Sequence, residues 1–228
     1  MLDKLVKKTI HLSLFIQILT TFVALDGFNK QLLPNDEILK DILWIETIVQ
    51  IIEGVFYVWI IYSLKDLNKM TSRRYIDWSI TTPIMLLSTI IYFKYTELKE
   101  KGTLEPFTAW DFYESNKENI HKIFLYNGLM LLCGFLSEIN LIDKRIGIPL
   151  GFYFFYLSFN LIYTEYGIKT ELGTQLFTIL LGLWSLYGFA AILPVQQKNI
   201  SYNILDIFAK NFYGLYIYYR VKQLQINV

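Results

Sequence analysis

Long apolar stretches alternate with short charged ones along the whole chain, at roughly 9 to 25, 41 to 63, 74 to 94, 119 to 139, 146 to 166, 173 to 194 and 200 to 220. Each is close to the length a helix needs to cross the hydrocarbon core of a bilayer. The pattern predicts an all-α membrane protein with seven spans, organised as a single domain over residues 1–228. Turn-forming residues punctuate it: Asp26-Gly27 and Pro34-Asn35-Asp36 after the first span, Lys65 to Ser72 after the second, Gly167 after the fifth and Pro194 after the sixth. Only the connection between the third and fourth spans is long. Residues Glu97 to Asn116 mix charges with apolar Trp110 and Phe112, which suggests a loop lying on the membrane surface. The first apolar run follows Lys4, Lys7 and Lys8 as a signal peptide's would. No small-residue cleavage site follows, and Ser13 and Gln17 interrupt it, so it is expected to stay as the first span.

Polar residues inside the apolar runs are not scattered. Ser13, Gln17 and Thr20 share one helical face of the first span, Glu46, Gln50 and Glu53 one face of the second, and Asn199, Asn203, Asp206 and Lys210 one face of the last. In the third span Arg74, Asp77, Thr81 and Ser88 form a similar stripe. Taken singly, such residues ordinarily do no more than hydrogen-bond a neighbouring helix or form a structural ion pair. Several ionisable groups at membrane depth are a different matter. Each costs a few kcal/mol to bury, roughly 2.5–3.5 on insertion scales, so they face the interior, pair, and mark functional sites.

Composition narrows the classes further. Of 228 residues, 54% are hydrophobic and 17% aromatic, too apolar for an ordinary soluble domain. The single cysteine, Cys133, excludes an intrachain disulfide framework, and His11 and His121 are too far apart to suggest a metal site. A net charge of +1 without any basic tract gives no reason to expect nucleic-acid binding. Leaving Lys210 aside, the lysines and arginines divide ten against ten between the two sides, so charge does not orient the chain.

The segment Arg74-Tyr75-Ile76-Asp77-Trp78-Ser79-Ile80-Thr81-Thr82-Pro83 resembles the third helix of the microbial rhodopsins. Asp206, four residues before Lys210, is similar to the pattern of their retinal-binding helix. The resemblance covers essentially the whole chain and implies a seven-helix bundle in the lipid bilayer, with an extracellular amino terminus and no enzymatic activity. It also implies all-trans retinal bound covalently to Lys210 as a Schiff base. A primary amine in an apolar pocket has the chemistry for that condensation. A protonated Schiff base needs a carboxylate partner, which Asp77 and Asp206 could both supply, with Arg74 offsetting the excess negative charge. By the same resemblance Trp78 and Trp184 flank the polyene, and Thr81, Thr82, Met85, Asn127, Met130, Gly134 and Tyr187 surround it. No residue of the fifth span is assigned.

Departures from the family pattern bear most on function. An outward proton pump keeps a carboxylate donor where this chain has Ser88, and a serine hydroxyl is far too weak an acid for that task. The turn Pro194 to Asn199 holds no carboxylate for proton release. Gly188 replaces the usual proline and Ala191 the usual aromatic. Glutamates seven apart in the second span, and the run from Lys210 to Leu215, resemble channelrhodopsins instead. There, Thr82 and Asn127 stand where a cysteine and an aspartate often link the third and fourth helices. The chain is most similar to the first group of viral rhodopsins, from large algal viruses. It shares with them Asp77, Thr81 and Ser88 together with Ser13, Gln17, Glu46, Glu53, Asn203 and Asn211. Members of that group are light-gated cation channels. The resemblance therefore implies a pathway for monovalent cations or protons lined by Ser13, Gln17, Glu46, Gln50, Glu53, Asn203 and Asn211, with Asp77 as counterion and proton acceptor. A weak outward proton pump is the alternative. A sensory rhodopsin that signals through a partner is another, although the short polar tail after Tyr219 does not look like a signalling domain. Assembly into a homo-oligomer is compatible with such a bundle.

Overall fold

The computed structural model describes residues 2–62 and 66–226, so Lys65 and Ser63, at the expected boundary after the second span, lie outside the described residues. The helices are α1 (Leu2–Gly27), α2 (Ile38–Ile61), α3 (Leu67–Glu100), α4 (Ala109–Glu138), α5 (Lys144–Glu165), α6 (Glu171–Ala190), α7 (Val195–Asp206) and α8 (Phe212–Gln223). A wide π-helical turn, Ile207–Asn211, joins the last two into one seventh span. Among the described residues there is no strand. Helices α1 to α6 are each long and apolar enough to cross a bilayer. The seventh span falls short because it carries Asn199, Asn203, Asp206, Lys210 and Asn211, all buried.

Burial runs opposite to that of a soluble domain. Leu12, Phe15, Phe22, Val55, Tyr153 and Ile179 are exposed, whereas Arg74, Asp77, Glu53 and Asp206 are shut inside. Lipid can cover the apolar outer surface, and the polar stripes can pair only with one another. Helix α1 packs against α2, α7 and α8, and α3 against α2, α4 and α7. The striped faces of the first, second, third and seventh spans therefore meet in one interior.

The expected loop from Glu97 to Asn116 is instead mostly helical. Helix α3 runs on to Glu100 and α4 starts at Ala109. Charges in that stretch support the helices rather than ending them. Lys94 and Lys101 both pair with Glu97, and Lys122 pairs with Glu118. Thr108 caps α4, its hydroxyl accepting from the Asp111 amide at 3.1 Å while the Asp111 carboxylate accepts from the Thr108 amide at 2.9 Å. The Thr108 hydroxyl also donates to that carboxylate at 2.7 Å, and this bond, with the one from the Thr108 amide, holds the Asp111 carboxyl below its usual range. Phe112 is buried and Trp110 is exposed against the Tyr113 ring. The remaining connection is pinned to the turn after α1, where Asn35 Nδ2 donates to Leu104 O, and to the first turn of α2, where Asp41 Oδ2 accepts from the Ala109 amide. Helix α3 likewise begins at Leu67, inside the stretch expected to connect the second and third spans, with Asp66 as its cap.

Candidate functional site

Lys210 lies in the π-helical turn, where Phe212 N–H bonds back five residues to Ile207 O. Such turns are frequent at functional sites. The Lys210 Nζ is buried, 3.1 Å from Asp77 Oδ2 and 3.3 Å from Glu53 Oε1. Asp206 is engaged differently. It accepts from Tyr57 Oη at 2.5 Å, Tyr187 Oη at 2.8 Å and Arg74 Nη1 at 2.9 Å. Arg74 also donates to Asn203 Oδ1. Of the two carboxylates that could serve Lys210, the structure sets Asp77 against the amine and ties Asp206 to arginine and two tyrosines. Asp77 Oδ1 has no hydrogen-bond partner within the protein. Two cations thus face three carboxyls.

Tyr57 was missed in the sequence, although it continues the stripe of Glu46, Gln50 and Glu53 by one more turn. Glu53, assigned to the ion pathway, reaches the amine as well.

Beside Lys210 opens an apolar cavity of about 110 Å³. Trp78, Thr82, Met85, Met130, Gly134, Trp184 and Tyr187 line it. Two residues expected there are elsewhere. The Thr81 hydroxyl donates to the Asp77 carbonyl at 3.0 Å, and Asn127 stands behind Thr82, donating to its hydroxyl at 2.7 Å. The fifth span, left unassigned, contributes Gly147, Ile148, Gly151, Phe152 and Phe155. Phe152 also accounts for Gly188. A Cβ at Gly188 would sit 2.4 Å from the tip of the Phe152 ring, so the ring occupies space that any larger residue there would need. Glycines four apart on a helix otherwise rich in Phe and Tyr were the available signal for this wall.

The polar stripes interlock. Ser13 donates to Tyr57 Oη at 3.1 Å, Gln17 to Glu53 Oε2 at 2.5 Å, Thr20 to Asn211 Oδ1 at 2.8 Å and Asn203 to Thr9 Oγ1 at 2.8 Å. Thr21 donates to Gln50 Oε1 at 3.0 Å. Ser88 donates to Glu46, so a carboxyl from the second span stands where the third span has only a hydroxyl. Buried Gln17 Oε1, Gln50 Nε2, Glu46 Oε2 and Tyr213 Oη have no protein partner. Each such group costs about 1–3 kcal/mol unless water meets it. The four belong to the first, second and seventh spans.

An apolar cavity thus ends at a buried lysine among carboxylates, inside a seven-span membrane bundle. The family model described as bacteriorhodopsin-like protein matches residues 8–224, and the chain belongs to that family. Among solved structures, it is similar to the viral rhodopsin OLPVRII, with 26% identity, a TM-score of 0.82, and coverage of 97% of this chain and 100% of that one. The blue light-absorbing proteorhodopsin from Med12 shares the fold at 18% identity and TM-score 0.73, covering 96% of this chain and 97% of the other. So does the bromide-bound halorhodopsin of Halobacterium salinarum, at 12% and 0.75, covering 99% and 98%. No curated protein sequence matches the chain.

Proposed function

We propose that the protein is a photoreceptor acting as a light-gated cation channel, with all-trans retinal held covalently on Lys210 and the amino terminus outside. The site suits that cofactor. A primary amine opens onto an apolar cavity between two tryptophans, and the buried Trp184 Nε1 has no protein partner. Retinal would supply light absorption and isomerisation. The chain's own residues supply the rest. Asp77 neutralises the cation at Lys210 and has a free oxygen lone pair to take a proton there. Arg74 holds Asp206 in place, at 0% exposure for both side chains.

The observation that carries the channel reading is the Glu53 carboxyl, which accepts from Gln17 on one oxygen and touches Lys210 with the other. A change of charge at the amine is thereby felt directly by the polar file between the first, second and seventh spans. Two buried glutamates in that file, Glu46 and Glu53, offer carboxyl oxygens to a passing cation. Photocurrent against voltage in one expressing cell tests this. A current that reverses with the cation gradient is expected, and a unidirectional one defeats it.

One observation favours a second reading, an outward proton pump of low efficiency. Ser88 cannot donate a proton to the site, but the Glu46 carboxyl bonded to it can. Under that reading the current keeps one sign at every voltage.

A further inference from the structure

The outer end of α4 and the start of α7 are joined by a charge pair that the site above does not use. Lys198 Nζ lies 2.6 Å from Glu138 Oε2, with side chains only 2% and 6% exposed. Lys144, Tyr75 and Tyr202 stand around the pair. A buried pair of this kind contributes little to stability by itself, yet removing one partner leaves an uncompensated charge. Its place in the two helices is what gives it a use.

Glu138, Gly134 and Met130 follow one another at steps of four on α4, and the last two line the cavity. Lys198, Tyr202 and Asp206 follow one another at steps of four on α7, and Tyr202 also lines it. Helical residues four apart share a face. The Tyr202 ring meets Trp78 edge-on at 4.9 Å and lies parallel to Tyr187 at 5.9 Å, while the Tyr187 hydroxyl bonds Asp206. We propose that the Lys198–Glu138 pair is a positioning element for the cavity: it fixes the α4 wall against the α7 wall, and through Tyr202 it sets the placing of Trp78 and Tyr187 beside Lys210. This rests on the retinal reading only for its colour readout.

The test uses Lys198→Met and Glu138→Gln, which keep size and remove charge, and the exchanged pair Lys198→Glu with Glu138→Lys. Near-ultraviolet circular dichroism of the retinal-free chain reports the setting of Trp78 and Tyr202. The visible band after adding all-trans retinal reports the wall beside Lys210. Both should change in each single variant and return towards wild type in the exchanged pair. A purely structural tie would lower the thermal midpoint and leave both spectra in place, which would overturn the proposal. Should either single variant fail to fold, Lys198→Arg is read instead. It keeps the charge and alters the reach, so a shifted band supports the proposal and a wild-type band overturns it. Wild-type protein that takes up no retinal would defeat the retinal reading, leaving the dichroism comparison to judge the pair.

Discussion

Glu53 Oε1 lies 3.3 Å from Lys210 Nζ, so a carboxyl of the second span's polar stripe touches the amine at the centre of the seventh. Asp77 approaches the same amine at 3.1 Å from the third span. Three spans thus converge on one nitrogen. Among the described residues, the cations that pair with these carboxyls are this amine and Arg74, whose charge is taken by Asp206. Changes at either end of this contact bear on the other.

Lys210→Ala removes the only lysine well inside an apolar run. The protein should still insert, because the apolar outer faces of α1 to α6 are untouched. It should be colourless with all-trans retinal at every pH. Visible absorption in the purified variant would sink the cofactor reading.

Asp77→Asn removes the negative charge nearest Lys210, while Asp206 keeps its bonds to Arg74, Tyr57 and Tyr187. With a neutral partner the cation at Lys210 is less stabilised, so the visible band should move to longer wavelength and be lost at lower pH than in wild type. Titration of the band checks this. An unchanged spectrum would transfer the role to Asp206 or Glu53.

How much of this was legible beforehand depended on whether a residue's signal was local. The apolar runs announced the spans, and spacings of four and three placed Glu46, Gln50 and Glu53 on one face. Lys210 and Asp77 stood out as charges in apolar surroundings. Pairings across spans were not legible in that way. Nothing in the second span shows that Glu46 reaches Ser88, or that Tyr57 reaches Asp206, because these contacts depend on helix rotation. The wall contributed by α5 was hidden among Phe and Tyr residues that would suit lipid equally well. The stretch from Glu97 to Asn116 was misread because charge was taken as a sign of loop. There it marks helix beyond the hydrocarbon, where i,i+4 pairs and a cap take over from burial.

That correction can itself be tested. Thr108→Ala removes the hydroxyl that caps α4, and loss of such a cap costs about 1 kcal/mol. Amide exchange at the start of α4 should accelerate about fivefold, the factor that corresponds to such a loss. The core of the bundle should be unaffected. Rapid exchange of residues 109–116 already in wild type would restore the loop.

Replacing both Glu46 and Glu53 by glutamine separates a conducting file from helix-to-helix bonding. Glutamine retains size and hydrogen-bonding capacity, so Gln17 and Ser88 keep acceptors and the fold should survive. What disappears is the capacity of the file to carry negative charge. If the two carboxyls only join helices, each contact is worth about 0.6 kcal/mol and glutamine serves nearly as well. Photocurrent and cation preference would then match wild type, and the route would have to be sought among other helices. If the carboxyls concentrate cations, the current should fall severalfold or lose its preference for cations. The Glu53 exchange also removes a charge beside Lys210, so the visible band should shift modestly. The single variant Glu46→Gln, whose carboxyl bonds Ser88 rather than the amine, should reduce current without that shift. Current recorded against the absorption spectrum of the same preparation distinguishes the two contributions.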